Sequence, residues 1–161
     1  LGLNALQDGD YRDWDQMIDT NVKGLLYVSE MVMPWMIANK KGHIINVGSI
    51  AGTEVYPGGN IYCASKHAVN AISKAMRIDL LKHGIKVTQV RPGLAETELS
   101  MVRFKGDAEK ADNVYKGYEP MHPEDIAEVI FYVSSLPPHL NINDVELTPT
   151  AQANSYTVFK Q

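Results

Sequence analysis

Two short runs of β-branched residues, joined by one long helical segment, constrain the fold of this chain more than any other feature. The runs His43 to Val47 and Ile85 to Val90 are typical of buried parallel strands. Between them, about Asn60 to His83 has the pattern of a helix that stops at a glycine. A strand, a long helix and a strand form a βαβ unit, whose strands run parallel. Function is then expected at the carboxyl ends of the strands, at Ser49 and at Arg91-Pro-Gly93.

The residues after this unit extend the same pattern. Leu94 to Met121 has little periodicity and follows the end of a strand, so we expect a lid or substrate loop. A helix from Pro123 to about Ser135 and a third strand from Asn143 to Thr148 come next, and Pro149 to Gln161 forms a tail. The sequence therefore predicts an α/β fold with a parallel sheet, in a single domain over residues 1–161.

A long helix is predicted before the unit, from about Trp14 to Ala38. Apolar residues recur there at three- and four-residue intervals, and Asp10 or Asp13 can cap its start. Pro34 should kink this helix or end its regular part. Asn21 is a poor helix former among apolar positions, so it either makes a structural hydrogen bond or serves a site.

Composition excludes several classes of protein. The 161 residues are 45% hydrophobic and 21% charged, which is typical of one globular domain, and the net charge of -4 gives no attraction to nucleic acid or anionic membranes. Apolar runs are too short to span a bilayer, so a cytoplasmic protein is expected. Cys63 is alone and cannot form an internal disulfide, and the five histidines show no metal-ligand spacing.

Tyr62 and Lys66 are candidates for an acid/base pair. They lie four residues apart in the predicted helix, which puts both side chains on one face, about 5–6 Å apart at Cβ. A nearby ammonium favours the phenolate, so Lys66 is expected to lower the pKa of Tyr62 from its usual value of about 10. Ser49 can fix a carbonyl or hydroxyl oxygen while Tyr62 exchanges its proton.

The same Tyr-x-x-x-Lys spacing occurs again at Tyr156 and Lys160, so the spacing alone is weak evidence. The second pair lies in the tail, with Asn143 rather than a serine thirteen residues before it. We therefore interpret Tyr156 as a packing or interface residue. The first pair still lacks an electron carrier, and alcohol–carbonyl interconversion needs a hydride donor. Nicotinamide is the usual donor, bound at the carboxyl ends of such strands.

Several short motifs, in order along the chain, resemble the second half of the short-chain dehydrogenase/reductase superfamily. The match extends over about residues 14 to 148. The motifs are Thr20-Asn21-Val-Lys-Gly24, Ile45-Asn-Val-Gly-Ser49 with Ala51-Gly52, Tyr62-Cys-Ala-Ser-Lys66, Arg91-Pro-Gly93 and Thr97. This resemblance implies an oxidoreductase with a Rossmann-like doubly wound parallel sheet, present as its C-terminal half with about three strands and the crossover helices.

The resemblance also implies a role for each matching residue. Tyr62 is the expected catalytic acid/base, Ser49 orients and stabilises the substrate oxygen, and Lys66 lowers the Tyr62 pKa and holds the nicotinamide ribose. Asn21 matches an asparagine that holds a water in a proton relay to the lysine, which favours its functional interpretation. The other matching residues correspond to contacts with the cofactor. Pro92 and Gly93 match the turn beside the nicotinamide, and Thr97 matches a residue that contacts the nicotinamide carboxamide or the pyrophosphate.

A narrower resemblance concerns the substrate. The segments Pro92 to Ser100, Val102 to Asp107 and Asn141 to Asn143 resemble NADP-dependent dehydrogenases of serine, allo-threonine, 3-hydroxypropionate and related 3-hydroxy acids. This implies NADP as cofactor, although the residues that would select it over NAD find no match here. A 3-hydroxy acid carries a carboxylate, which Arg103, or Lys105 as second choice, could pair with. A solvated or interface arginine is the alternative interpretation.

The glycine-rich first half of the family finds no match in this sequence. We therefore expect a fragment of a longer enzyme, inactive alone, with an unpaired sheet edge where a further strand would lie. Two alternatives stay open: a ketoreductase of another alcohol in the same superfamily, or a non-enzymatic binding protein if the chain is complete. In the family the helices matching residues 14–38 and 60–83 pair between subunits, which predicts a homodimer or homotetramer.

Overall fold

Three parallel strands form the sheet. The computed structural model, which describes residues 1–161, contains β1 (His43–Val47), β2 (Lys86–Pro92) and β3 (Asp144–Leu147) in the order β1-β2-β3. Val47 lies opposite Val90, and Pro92 lies opposite Leu147. Because parallel strands end at the same edge of a sheet, the segments that follow β1 and β2 are neighbours. The predicted α/β fold with a parallel sheet is confirmed.

The protein has six α-helices, and their bounds agree closely with the sequence pattern where that pattern is strong. They are α1 (Tyr11–Ile18), α2 (Gly24–Asn39), α3 (Asn60–Asp79), α4 (Glu98–Arg103), α5 (Ala108–Tyr115) and α6 (Pro123–Ser135). The Asp10 carboxylate caps α1 by accepting a hydrogen bond from the Arg12 amide at 2.9 Å. A 3₁₀ turn and Gly84, at φ +68°, end the α3 region where the sequence placed its stop.

The long N-terminal helix contains a feature that the sequence did not predict. A π-helical turn, Asp19–Lys23, joins α1 to α2 and carries Asn21. Pro34 lies inside α2 and does not end it, since the helix continues to Asn39 and stops at Lys40, which has φ +49°. Short π-helical turns within α-helices are rare and occur frequently at functional sites.

The main core lies between the sheet and the pair α2 and α3. Its buried residues are Ile44, Met76, Leu80, Ile85 and Val87, and side chains from α2 pack against them. In the same layer the Asn46 amide donates to the Ser73 hydroxyl at 2.9 Å, a buried hydrogen bond between β1 and α3. Helix α6 contacts β2. These contacts fix α3 relative to the carboxyl ends of the strands.

β1 is an edge strand, with β2 as its only neighbour. Val47 at its end is 52% exposed. An unpaired strand edge of this kind offers free backbone groups to a further strand. None of the helices is long and apolar enough to cross a bilayer.

The two segments described from sequence as loop and tail are ordered. Residues 94–121 contain α4 and α5. The tail folds back on itself through an antiparallel bridge between Gln152 and Val158. Its last amide, that of Gln161, donates to the Gly117 carbonyl at 2.8 Å, so the tail contacts the segment that follows α5.

Candidate active site

A cavity of about 700 Å³ opens where β1 and β2 end. All eight residues predicted for the site line it, although they come from five separate parts of the chain. They are Asn21, Ser49, Tyr62, Lys66, Pro92, Gly93, Thr97 and Arg103. The parallel strands bring the loop after β1 and the loop after β2 together. The contact between the π-helical turn and α3 brings Asn21 to the same place.

Ser49 joins the loop after β1 to the loop after β2. Its buried hydroxyl accepts a hydrogen bond from the Ala51 amide at 3.1 Å and donates to the Pro92 carbonyl at 3.4 Å. The 3₁₀ turn that it caps then passes close to α3 at Gly52, where a Cβ atom would lie 2.8 Å from the Lys66 carbonyl oxygen. Only glycine allows this close approach of the loop to the helix.

Tyr62 lies half-buried in the first turn of α3, and its pKa is shifted in the direction opposite to the predicted one. Burial raises the pKa of the Tyr62 phenol, while the Ser49 hydroxyl and the Arg103 guanidinium act in the opposite direction. Lys66 was expected to lower this pKa. Its ammonium instead donates to the Val47 carbonyl at 3.2 Å and lies 5.8 Å from the centre of the Tyr62 ring. Burial lowers the pKa of Lys66 itself.

Arg103, the last residue of α4, lies over the Tyr62 ring. Its guanidinium carbon is 5.1 Å from the ring centre, and one terminal nitrogen donates to the Tyr56 hydroxyl at 3.1 Å. Arg103 forms no ion pair with any side-chain carboxylate of the protein. The second candidate, Lys105, pairs with Asp13 at 2.8 Å and does not line the cavity. Of the two residues predicted to bind a carboxylate, Arg103 is therefore the one that lines this cavity.

Asn21 makes the structural hydrogen bond that one interpretation expected. Its amide nitrogen donates to the Ser65 hydroxyl at 3.0 Å, and Ser65 donates to the Tyr62 carbonyl at 2.7 Å. This links the π-helical turn to the first turn of α3. The amide oxygen of Asn21 accepts no hydrogen bond from the protein, and the residue lines the cavity, so the geometry also suits a role toward a bound molecule.

Several polar residues that the sequence did not indicate line the same cavity. The Ser100 hydroxyl lies 2.7 Å from the Tyr115 hydroxyl, which donates to the Ala95 carbonyl at 2.9 Å and so ties α4, α5 and the loop after β2 together. Tyr56 holds Arg103, and Gln152 reaches the cavity from the tail. These residues lie in short or aperiodic segments, where no spacing in the sequence indicates a site.

The second Tyr-x-x-x-Lys pair is not in a helix and lies outside the cavity. Tyr156 is 67% exposed. Lys160 donates to the carbonyls of Asn113 and Val114 at the end of α5, at 3.3 and 3.2 Å.

Elsewhere in the protein, no group of three His, Cys, Asp or Glu side chains is arranged to hold a metal ion.

A serine at the end of a parallel strand, with a tyrosine and a lysine one helical turn apart on the next helix, is the arrangement of one class of nicotinamide-dependent oxidoreductases. The family model described as short chain dehydrogenase matches residues 2–108 of this chain. The chain therefore belongs to the short-chain dehydrogenase family, and the resemblance seen in its motifs is confirmed.

Individual relatives narrow the comparison. The chain is 47% identical over 154 residues to the NADP-dependent 3-hydroxy acid dehydrogenase YdfG of Salmonella typhi, covering 95% of this chain and 62% of the relative. It is also 47% identical over 154 residues to Sulfoacetaldehyde reductase 2 of Chromohalobacter salexigens, covering 95% of this chain and 61% of that protein. The chain thus spans less than two thirds of the length of these curated relatives.

Solved structures give the same comparison in three dimensions. The closed form of a serine dehydrogenase complexed with NADP+ matches all of this chain and 66% of its own, with 44% identity and a TM-score of 0.94. Serine dehydrogenase from Escherichia coli matches 95% of this chain and 61% of its own, with 37% identity and a TM-score of 0.80. The three strands and their helices are therefore part of a Rossmann-like doubly wound sheet.

Proposed function

We propose that this chain forms the catalytic half of an NADP-dependent oxidoreductase that interconverts a small 3-hydroxy acid, such as serine, allo-threonine or 3-hydroxypropionate, and its carbonyl product. The observation that carries the substrate class is Arg103, a guanidinium without a carboxylate partner that lies 5.1 Å from the centre of the Tyr62 ring. A carboxylate bound there would leave a hydroxyl two carbons away within reach of a phenol. A small 3-hydroxy acid carries both groups on one short carbon chain.

Side chains of this protein can donate and accept the proton that the substrate oxygen exchanges. With its pKa raised by burial, Tyr62 is neutral at neutral pH and can donate a proton to a carbonyl oxygen during reduction. Ser49 is buried beside it and would hold the same oxygen. Lys66 and Asn21 also line the cavity, where the free amide oxygen of Asn21 would hold a water that passes protons to and from Tyr62 through Lys66.

The residues present suit the nicotinamide end of a cofactor. At Gly93 no side chain separates the backbone from the cavity, and a Cβ atom there would lie within 2.3 Å of the Gln152 side chain. Pro92, Gly93 and Thr97, together with Tyr62 and Lys66, would hold the nicotinamide and its ribose. When bound, the cofactor supplies or accepts the hydride. The names of the relatives favour NADP over NAD.

Two alternatives differ in what Arg103 binds. The relative named Sulfoacetaldehyde reductase 2 suggests a sulfonate in place of the carboxylate, and a guanidinium pairs with either anion. A ketoreductase of neutral alcohols would instead use Arg103 only to hold Tyr56.

A non-enzymatic binding protein remains the alternative for a chain of 17.9 kDa. The intact mass of the protein made from its complete gene separates this last case from an enzyme of the relatives' length.

The central experiment is Tyr62→Phe in the protein made from its complete gene. Loss of a general acid/base should lower NADP reduction with L-serine by about 10²- to 10⁴-fold while NADPH binding, followed by fluorescence, stays nearly unchanged. Tyr156→Phe is the matched control, because it removes the hydroxyl of the other Tyr-x-x-x-Lys pair outside the cavity. Unchanged turnover in Tyr62→Phe would refute the assigned acid/base.

A further inference from the structure

We propose that Gln152, in the C-terminal tail, is a positioning residue that fixes the turn Pro92 to Leu94, the part of the backbone expected to lie beside the nicotinamide. The inference rests on the proposed function, because it gives that turn a cofactor to hold. Nothing in the sequence pattern singles out Gln152, and it lies sixty residues beyond Pro92 along the chain.

Both ends of the Gln152 amide are in use. The side-chain oxygen accepts a hydrogen bond from the Leu94 amide at 2.8 Å, and the side-chain nitrogen donates to the Asn154 carbonyl at 3.0 Å. The residue is 5% exposed although it lines the cavity. Because each end of its amide already has a protein partner, Gln152 can act on a ligand through the position of Leu94.

The turn is held on several sides. The Gly93 amide donates to the Leu147 carbonyl of β3 at 2.8 Å, and the Leu94 carbonyl accepts from the Met121 amide at 3.2 Å. Gln152 supplies the partner for the one amide between these two, that of Leu94. Its oxygen lies so close to Gly93 that a Cβ atom there would approach within 2.3 Å. The turn and the glutamine therefore occupy one defined arrangement.

The tail presents Gln152 from a small hairpin. The Ala153 amide donates to the Thr157 carbonyl at 3.0 Å, and the Phe159 amide donates to the Ala151 carbonyl at 2.8 Å. At the tip, the side-chain oxygen of Asn154 accepts from the amides of residues 156 and 157 at 3.0 and 2.8 Å. This hairpin holds the glutamine by backbone contacts that do not involve the turn.

A role in positioning and a role in stability predict different results. If Gln152 only stabilised the hairpin, its loss would lower the melting temperature as much as any other disruption of the hairpin and leave cofactor affinity unchanged. If it positions the turn, its loss frees the Leu94 amide and weakens cofactor binding. Gln152→Met keeps the volume and removes both hydrogen bonds. Asn154→Ala is the control, because it loosens the same hairpin and leaves Gln152 in place.

The experiment measures hydrogen exchange at the Leu94 amide and the Kd of NADPH in the protein made from its complete gene. Gln152→Met should expose the Leu94 amide to exchange and weaken NADPH binding by about 5- to 30-fold, a change typical of one lost buried hydrogen bond. Asn154→Ala should lower the melting temperature with little change in either quantity. If Gln152→Met does not fold, Gln152→Glu, which keeps an acceptor, should retain the protection of Leu94.

Two results would overturn the inference. NADPH binding by Gln152→Met as tight as in the unaltered protein, with the Leu94 amide exposed, would remove Gln152 from the site and leave the proposed function standing. Rapid exchange at Leu94 in Gln152→Glu would likewise show that the acceptor does not hold the turn. Failure of the unaltered protein to bind NADPH would overturn the proposed function itself, and this inference with it.

Discussion

At the scale of single residues, the substrate proposal depends on the pair Arg103 and Tyr56. The Arg103 guanidinium lies over the Tyr62 ring, whose negative face stabilises it. A hydrogen bond to the Tyr56 hydroxyl fixes the direction of the guanidinium. The remaining N–H groups of Arg103 have no side-chain acceptor in the protein. A planar anion in the cavity could therefore accept them without displacing an existing ion pair.

Arg103→Met should weaken binding of acidic substrates selectively. Loss of a charge-assisted hydrogen bond, of roughly 1.5–3 kcal/mol, should raise KM for L-serine by about 10- to 100-fold. KM for a neutral secondary alcohol should change little. Lys105→Met is a matched control from the same loop, because Lys105 pairs with Asp13 and lies outside the cavity. Equal effects of Arg103→Met on acidic and neutral substrates would contradict the assignment.

Two half-buried tyrosines, Tyr56 and Tyr118, should make the folded state sensitive to alkaline pH. Burial raises the pKa of Tyr56 to about 12, and that of Tyr118 also to about 12, above the value of about 10 for an unfolded chain. The folded state thus holds these protons more tightly than the unfolded state. Their contribution to stability is full below pH 10 and is lost as pH rises toward 12.

Tyr56→Phe and Tyr118→Phe should each flatten the fall of the melting temperature between pH 10 and pH 12. Phenylalanine has no proton to lose, so the linked part of the pH dependence disappears. Thermal unfolding of the unaltered protein and of each variant, at a series of pH values, measures this change. A slope in the variants as steep as in the unaltered protein would contradict the prediction.

At the scale of elements, the site depends on how closely the loop after β1 lies against α3. Gly52→Ala would place a Cβ atom 2.8 Å from the Lys66 carbonyl oxygen, a backbone atom that cannot move aside easily. The loop or the helix must shift, at a cost of about 1–3 kcal/mol, and Ser49 moves relative to Tyr62. We expect a lower melting temperature and a lower kcat.

Gly24→Ala is the matched control for this substitution. Gly24 begins α2, and the nearest atom to an added Cβ is the Asp19 carbonyl oxygen at 3.4 Å, an ordinary contact. Alanine is the better helix former by about 0.5–1 kcal/mol, so stability should stay the same or rise, with kcat unchanged. The same glycine-to-alanine change should thus lower stability at Gly52 and keep or raise it at Gly24. A loss of kcat in Gly24→Ala as large as in Gly52→Ala would show that local crowding does not explain the effect.

Elements with strong periodicity could be predicted, and elements set by tertiary contacts could not. Runs of β-branched residues indicated β1 and β2, Gly84 indicated the end of α3, and Pro123 and Pro137 indicated the ends of α6, each within a few residues of the observed end. The π-helical turn was missed because its extra residue changes no composition, only the register of hydrogen bonds. The hairpin of the tail was missed because its role depends on Leu94, which is distant in the sequence.

At the scale of the whole molecule, α2 presents an apolar face that this chain does not cover. Tyr27, Met31 and Trp35 lie four residues apart on one side of the helix and are 65%, 75% and 68% exposed. A helix that is apolar on nearly all sides is normally buried. This exposure favours the predicted pairing of helices between subunits in a dimer or tetramer.

Met31→Glu should weaken that assembly. A carboxylate at the centre of an apolar interface would lose its hydration without gaining a partner, which is unfavourable by several kcal/mol. Light scattering during size-exclusion chromatography should show a smaller species than the unaltered protein. Phe131→Glu is the control, since Phe131 is equally exposed at 75% but lies on α6, outside the predicted interface. An unchanged mass for Met31→Glu would place the interface elsewhere.

The candidate site residues could be proposed at this scale because their order along the chain identifies the family. Cofactor selection and the exact substrate could not. The chain spans 62% of the length of the Salmonella typhi relative, and the motifs of the family's other half find no match here. In the proposed function, substrate choice depends on Arg103 and Tyr56, whose contact across forty-seven positions follows only from the folded loop.

The π-helical turn sets the rotation of α1 about its own axis. A π turn contains one residue more than an α turn, so removing one residue from Asp19–Lys23 would let the helix continue as regular α. Every side chain before it would then rotate by about 100° relative to α2. Met17, now 7% exposed at the wall of the cavity, would leave it. The length of this turn, more than its composition, therefore determines which face of α1 borders the cavity.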